Sequence, residues 1–490
     1  MRSLFVFFAL AWASYGILHV CLTSWAMMDP YSNRELLFKL LVPVSGFFVL
    51  GKPSSVTRFA LFCFFWLGAT LSYSPYWPNH LLHTVAINAA LLVICLLAWL
   101  GVGQGVTARE RVAAMFAPVG RLSLFVLYFW VVVHKLNYDY LNPDVSCGWV
   151  LYEESAQFIK GMTGLSVPVE PWMRYPCLLG ALLIEALIPL LLIFRKSRFA
   201  GLVLGGVFHL ILSFHVNMFI LSFTLMMLAH YVLFTTHQGR AECAKWWQRS
   251  WPGKRWSTVR GLKLPLVLTT IFVLYVLPVG LANSWQGMPQ AELILNVDEQ
   301  VAWRVSRIAA TGYAMLVLIL MVRFLWRRSS WPNGRQDFAC LPRPIFLTLL
   351  PILLFTNGLS PYIGLKTHHA YAMFSNLRTE AKVTNHLFMP VSVRVADYQD
   401  DLIRVIESNF SALPAMEPGA GITRFEFNRM LFYAPKDLKL VYSDNGSEPK
   451  TITYESIEQE KILARPPWLP RHLLFFKTAT PQEKPCPCRW

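Results

Sequence analysis

The sequence predicts an all-α polytopic membrane protein with about eleven transmembrane helices, followed by a small C-terminal α+β extramembrane domain. Of its 490 residues 55% are hydrophobic and only 15% charged, whereas about a quarter of a soluble protein's residues are charged. Apolar runs long enough to cross a bilayer recur from the first residues to about position 363. The remaining sequence is more polar. These observations predict a transmembrane domain over 1–365 and an extramembrane domain over 366–490.

Each predicted span is placed at one of the apolar runs. Several of these runs are short, so the expected number of spans ranges from about nine to twelve. Ala11-Trp12-Ala13 resembles a signal-peptidase site, but the apolar run continues to Met27, which favours an uncleaved first span. The predicted spans are 3–27, 36–51, 58–74, 81–103, 122–137, 175–194, 198–214, 217–235, 264–282, 302–325 and 344–363.

The formal charge of +16 is concentrated in short loops between spans. This indicates membrane topology rather than nucleic-acid binding, because basic loops stay on the cytoplasmic side. With eleven spans the basic and acidic loops fall on opposite sides of an inner or plasma membrane. The N-terminus is then cytoplasmic and the C-terminal domain extracytoplasmic. The basic loops are 52–58, 104–121, 195–198, 236–263 and 326–343, and the acidic ones are 138–174 and 283–300.

The C-terminal domain is predicted to contain a helix in DLIRVIESNF and a hairpin in KLVYSDNGSEPKTITY, with its turn at Asn445-Gly446. The nine cysteines show no metal-ligand spacing. Cys486 and Cys488 could pair only with a distant cysteine such as Cys147 or Cys177, so a mobile tail is the favoured interpretation.

Ionisable residues inside the predicted spans form the candidate site. In FWVVVHKLNYDYLNPD a lysine appears before the apolar run has ended, about 20 Å along its span, where a charge costs several kcal/mol. Burial disfavours the charged amine, and a neutral amine is a general base that a histidine can assist. Most of the group is expected at one depth near the outer surface. Its members are His80, His83, His134, Lys135, Glu185, His209, His215 and His230.

Structural interpretations stand beside the catalytic one. Lys135 could extend its ammonium group to the lipid headgroups, as lysines near span ends do. Each histidine could make an ordinary interhelical hydrogen bond, and Glu185 could pair with a neighbouring histidine. No HExxH or similar spacing indicates a metal site, and none is expected.

Four segments in the same order resemble the vitamin K-dependent γ-glutamyl carboxylases and the related bacterial horizontally transferred transmembrane (HTTM) domain proteins. In chain order they are WPNHLLHTV, LYFWVVVHKLNYDYLNP, LLGALLIEALIPLLLIFRKSRFAGLVLGGVFHLILSFHVNMFILSFTLMMLAHYVLF and AYAMFSNLRTEAKVTNHLFMP. The resemblance covers about residues 1 to 400. His134 stands where the carboxylases carry a second lysine, and the chain lacks most of their large lumenal portion.

The resemblance implies a reaction and its cofactor. Lys135 would deprotonate reduced vitamin K or menaquinol arriving from the outer leaflet, oxygen would convert the quinol to a strong base, and His80 would assist as a glutamate carbanion adds CO2. Lys135, His80 and His134 are therefore the catalytic candidates. The quinol-binding candidates are His83, Glu185, His209 and His215.

The expected partners are membrane lipids, a lipid quinol and a secreted protein or peptide substrate, with no nucleic acid. Two other functions stay open. One is a non-catalytic partner-binding or immunity protein, in which the polar cluster ties helices together. The other is a transporter in which Glu185 and the histidines relay protons.

Overall fold

The structure is a computed structural model and describes residues 2–23, 33–74, 76–250, 299–325, 341–459 and 467–488. The predicted span 264–282 and most of the loops 283–300 and 326–343 lie outside these residues. The N-terminal part is a helical bundle. Its helices are α1 (Arg2–Thr23), α2 (Asn33–Gly51), α3 (Val56–Leu71), α4 (Asn79–Trp99), α5 (Ala108–Lys135), α6 (Tyr138–Leu141), α7 (Cys147–Thr163), α8 (Arg174–Ile193), α9 (Arg198–Leu212), α10 (Met218–Tyr231), α11 (His237–Ser250), α12 (Glu299–Leu325) and α13 (Leu349–Leu359).

Within the described residues, five helices are long and apolar enough to cross a membrane, or six if the bent pair Met218–Phe234 and His237–Trp246 counts as one span. Several apolar helices are thus compatible with a membrane protein, but the predicted number of eleven spans is not confirmed. The helices at several predicted spans are shorter than a bilayer crossing needs. These shorter apolar helices are Leu40–Gly51, Val56–Leu71, Arg198–Leu212 and Ile345–Leu359.

The bundle is organised around α1, which packs against α2, α5 and α10. Aromatic side chains fill this core, among them the fully buried Trp12 and Trp66. On the other side of α5, the lack of a side chain at Gly358 lets α13 approach closely: a Cβ atom there would lie 2.1 Å from Cδ1 of Trp130. These contacts fix the position of α5, the helix that carries Lys135.

Helix α5 begins at Ala108, so most of the loop predicted over 104–121 is helical. The Glu110 carboxylate accepts a hydrogen bond from the Thr107 backbone N–H at 3.0 Å, which stabilises the start of the helix. The predicted span 122–137 is therefore the apolar part of a longer helix.

The C-terminal domain contains a four-stranded antiparallel sheet of order β2-β1-β3-β4. The strands are β1 (Leu402–Ser408), β2 (Ile422–Thr423), β3 (Lys439–Asp444) and β4 (Lys450–Thr453), and the helices are α14 (Arg424–Leu431), α15 (Tyr454–Gln459) and α16 (Trp468–Leu473). The predicted hairpin is confirmed: β3 pairs with β4, and Asn445 and Gly446 adopt positive φ in the turn.

The helix predicted in DLIRVIESNF is wrong, because these residues form β1. Ile403 and Val405 are both buried while their neighbours are partly exposed. This period of two, with β-branched side chains, suits a strand paired on both edges by β2 and β3.

An irregular segment, residues 366–390, covers one end of the bundle and is called the cover segment below. Its backbone is tied down at several points: Tyr371 N–H donates to Asn79 Oδ1 at 2.6 Å, and Asn137 donates to the Ser375 carbonyl at 2.5 Å. Three bulky residues in it, His369, Tyr371 and Phe374, have φ of 56°, 62° and 55°. Such values cost free energy and persist only where the surroundings enforce them.

The C-terminal tail is docked rather than mobile, which corrects the sequence-based interpretation. Cys488 forms a disulfide with Cys147 at the start of α7. The Cys486 N–H donates to Asp139 at 3.0 Å, and its carbonyl accepts from Asn376 of the cover segment at 2.8 Å. The sequence could name Cys147 as a partner, but not choose between it and Cys177.

Candidate functional site

Two cavities lie between the helical bundle and the cover segment. The larger, about 390 Å³, lies between the starts of α4 and α10, the cover segment and the residues that follow α16. The smaller, about 30 Å³, lies among α5, α8, α9 and α10. Four residues line both and form their shared wall: Ile220, Phe223, Met373 and Phe374.

Lys135 and Glu185 line the smaller cavity and form an ion pair. Lys135 is the last residue of α5 and only 4% exposed, while Glu185 lies in the middle of α8 and is 8% exposed. The ammonium group therefore does not extend to the surface, and Glu185 pairs with the lysine rather than with a histidine. Pairing offsets the cost of burying either charge alone. The Tyr140 ring, 5.8 Å from Lys135 Nζ, adds a cation–π contact.

His209 completes this cavity on the α9 side. Its Nε2 lies 2.9 Å from the Tyr128 hydroxyl, which lies 2.5 Å from the Tyr231 hydroxyl. Gly205 makes room for Tyr231, because a Cβ atom there would lie 2.3 Å from the Tyr231 hydroxyl oxygen. Within the described residues His209 Nδ1 has no hydrogen-bond partner. Neither tyrosine was among the sequence-based candidates, although a hydroxyl within an apolar helix is an available indication.

His80 lines the larger cavity at the start of α4. It is 2% exposed, and its Nε2 finds no partner in the part of the chain that the structure describes. The Phe223 ring lies 6.3 Å from the His80 ring and 5.1 Å from the His209 ring. Phe223 therefore stands between the histidine of one cavity and that of the other.

His83 belongs to a closed chain of hydrogen bonds. His230 Nδ1 lies 3.0 Å from the Met226 carbonyl, which can only accept, so His230 donates there and its Nε2 accepts. His83 Nε2, at 3.3 Å, is then the donor to His230, and His83 Nδ1 accepts from the Tyr371 hydroxyl at 3.0 Å. Both ring nitrogens of His83 are therefore hydrogen-bonded while the ring is neutral. This agrees with the structural interpretation, in which each histidine makes ordinary interhelical hydrogen bonds.

His134 and Lys135 are adjacent but face different neighbours. His134 Nε2 donates to the Ala370 carbonyl at 2.9 Å, and its Nδ1 accepts from the Tyr362 hydroxyl at 2.8 Å. The ring stacks on Trp130 with centroids 5.2 Å apart. His134 lines neither cavity and holds the cover segment against α5 and the residues after α13.

His215, in the turn before α10, also lies away from both cavities. Its Nε2 lies 2.8 Å from Glu154 of α7, and its Nδ1 accepts from the Asn217 N–H at 3.0 Å. The predicted group thus divides: Lys135, Glu185 and His209 share the smaller cavity, and His80 lines the adjoining one. The other four, His83, His134, His215 and His230, line neither cavity.

The side of the larger cavity formed by the cover segment and the residues after α16 carries polar residues that were not among the sequence-based candidates. His368, His369 and Lys477 line it, and the His369 ring stacks on Phe475 at 4.9 Å. Within the described ranges neither ring nitrogen of His369 has a partner. Burial lowers the pKa of His368 to about 3, with nearby Lys477 and Lys366 adding to the effect. Since loop residues have no helical periodicity, only their clustered histidines could have indicated them.

Comparisons with known proteins add no relative: neither a protein family, nor a curated protein, nor a solved structure matches the chain. Among the described residues no group of three or more His, Cys, Asp or Glu side chains is arranged to hold a metal ion. The site therefore rests on its own geometry: a buried lysine–glutamate pair next to a larger cavity lined by histidines and aromatic rings.

Proposed function

We propose that the protein is a membrane enzyme of the HTTM and γ-carboxylase type, in which Lys135 removes a proton from a lipid-soluble quinol. The observation that carries this proposal is the buried Lys135–Glu185 pair at a cavity separated only by a wall of side chains from the His80 cavity. Burying such an ion pair costs desolvation free energy, so a buried pair is weak evidence of a purely stabilising role.

The carboxylate partner gives the lysine a route to its neutral form. Passing the proton from Lys135 to Glu185 turns an ion pair into a neutral pair, so no net charge is created in the apolar surroundings. The free amine can then accept the proton of a quinol O–H, which leaves a quinolate beside the new ammonium group. Glu185 would hold the first proton while the second is transferred.

The larger cavity has the size and lining for the quinol ring. Its volume of about 390 Å³ lies in the range of small-molecule sites, about 300–1,000 Å³. Phe219, Phe223 and Phe475 supply aromatic faces. The smaller cavity is too small for a ring, so contact with Lys135 requires Phe223 or Met373 in the shared wall to move. Met373 is unbranched and suits such a movement.

The topology completes the proposal. Eleven spans with a cytoplasmic N-terminus would place both cavities at the outer leaflet and the C-terminal domain outside. A quinol dissolved in that leaflet would reach the larger cavity from the lipid side. By the resemblance, oxygen and CO2 would be the co-substrates and a glutamate side chain the carboxyl acceptor, with His80 assisting from the larger cavity.

The test is quinone epoxide formation by the purified protein in nanodiscs, supplied with reduced vitamin K or menaquinol and oxygen. The decisive variant is the double substitution Lys135→Met/Glu185→Leu, because it removes the base without leaving an unpaired buried charge. The matched control is Lys160→Met, which removes an exposed lysine from α7. Epoxide from the wild type and the control, and none from a folded double variant, is the expected result.

A non-catalytic partner-binding protein is the second candidate, and the closed hydrogen-bond chains of His83 and His134 favour it. A polar cluster that only links helices would contain hydrogen bonds of this kind. Folded wild-type protein that forms no epoxide from either quinol would support this function and remove the enzyme proposal. The transporter alternative is weaker, because Glu185 is held by Lys135.

A further inference from the structure

We infer that helix α16 lies in the boundary between headgroups and lipid tails, with Trp468 and Leu469 inserted into the bilayer. This would attach the C-terminal domain to the membrane surface independently of the transmembrane helices. The inference stands on the geometry of the C-terminal domain and does not depend on the proposed reaction.

The first observation is the exposure of large apolar side chains on a short helix. Trp468, Leu469 and Leu473 are 69%, 56% and 44% exposed. At 100° per residue they fall within one arc of the helix, and Arg471 lies outside it. Arg471 instead packs over the Phe432 ring at 4.9 Å. One face of α16 therefore contacts the C-terminal domain, while the other carries three large apolar side chains that the described residues leave largely exposed.

The second observation fixes where this apolar face lies. His472 is within the same arc, and its Nδ1 lies 2.9 Å from the Ser74 hydroxyl, which also donates to the His472 carbonyl at 3.2 Å. Ser74 is three residues beyond Leu71, the end of the apolar helix α3. The apolar face of α16 thus meets the bundle at the level where the apolar helix α3 ends.

The third observation is that α3, whose end lies beside α16, also exposes large apolar side chains. Helix α3 exposes Leu61, Phe64 and Leu71 at 50%, 55% and 45%. Trp468 and Leu469 belong to a helix that is hydrogen-bonded to Ser74, just beyond the end of α3. Tryptophan is enriched where tails meet headgroups. A bilayer therefore fits this face better than a soluble partner, which would have to approach across headgroups.

One consequence concerns the larger cavity. Phe475, two residues after α16, lines that cavity, and its ring lies 5.1 Å from the ring of Tyr76, which is itself 50% exposed. An inserted α16 would hold this side of the cavity at the bilayer boundary.

The test uses a nitroxide label at Leu469→Cys in the full chain reconstituted in liposomes without other proteins. The matched control is Glu448→Cys, an exposed position beside the β3–β4 turn of the same domain. Label on unsubstituted protein is subtracted as background from the native thiols. Collision with dissolved oxygen reports lipid, and collision with a water-soluble nickel chelate reports solvent.

We expect the ratio of oxygen to nickel collisions to be at least several-fold higher at 469 than at 448, with Leu473→Cys close to 469. Equal nickel access at 469 and 448 would overturn the inference, because the face would then be in water. Low access to both reagents at 469 would also overturn it, because protein would then cover the face. Since Leu469 is exposed, its substitution leaves the packing of the domain intact.

Discussion

The ion pair between Lys135 and Glu185 makes a prediction about stability that does not depend on catalysis. Replacing Lys135 by Met leaves a glutamate in an apolar site, and replacing Glu185 by Leu leaves a lysine there. Each single variant should be strongly destabilised, and the double variant should be close to the wild type. The reason is that a buried charge without its partner is costly, whereas two apolar side chains of similar size pack without one.

The loss of stability in each single variant is limited, because the unpaired group can become neutral by gaining or losing a proton. Moving a proton from water at pH 7 onto a glutamate costs about 4 kcal/mol, and removing one from a lysine costs about 5 kcal/mol. We therefore expect unfolding free energies lower by about 4 kcal/mol for Lys135→Met and about 5 kcal/mol for Glu185→Leu. The double variant should lie within about 1 kcal/mol of wild type rather than about 9 kcal/mol below it.

The assay is a double-mutant cycle, with unfolding free energies from detergent titration in mixed micelles at pH 6 and pH 8. The Lys135→Met penalty should shrink toward low pH by about 1.4 kcal/mol per unit, because protonating the glutamate becomes easier. The Glu185→Leu penalty should shrink toward high pH, and the double variant should show neither trend. Additive penalties, or single variants as stable as wild type, would refute a buried pair at this position.

Two further predictions concern the C-terminal domain. Burial raises the pKa of Glu426, the partner of Arg429, to about 7. The folded state thus binds this proton more tightly than the unfolded state, and stability should fall by up to about 3 kcal/mol as pH rises from about 4.5 to 7. Hydrogen exchange of β1 amides, corrected for intrinsic rates, should show this fall in wild type but not in Glu426→Gln; an equal fall in both would contradict it. Replacing Cys147 and Cys488 by serine should speed maleimide labelling of the buried Cys486 by ~10-fold, and an unchanged rate would show that the disulfide does not hold the tail.

The sequence predicted helix positions well because apolar runs leave little choice of backbone structure. It predicted lengths less well, since the ends of helices depend on caps and packing. Helix α5 shows this: polar residues after Ala108 suggested a loop, yet the cap at Thr107 and contacts with the bundle extend the helix. The strand at Leu402–Ser408 was missed for a related reason, because a short apolar segment is helical or extended according to its partners.

The residues that line the smaller cavity were predicted in part. A lysine and a glutamate inside apolar runs are so costly that each indicated a site, and the two are partners although 50 residues apart. Sequence spacing did not show that His134 would face away from its neighbour Lys135. Nor did it show the fold of the cover segment, where His369 and Tyr371 adopt positive φ although glycine is the residue that usually does so.

The hydrogen bonding of the candidate histidines differs between those that line a cavity and those that do not. The four candidate histidines that line neither cavity, His83, His134, His215 and His230, have both ring nitrogens hydrogen-bonded. The two that line a cavity, His80 and His209, each keep one buried nitrogen with no partner among the described residues. A buried polar atom left without a partner costs about 1–3 kcal/mol. If these histidines served only to hold helices together, unsatisfied nitrogens would have no reason to collect at the two cavities. Their position there supports the proposal that a polar, ring-sized substrate binds at these cavities.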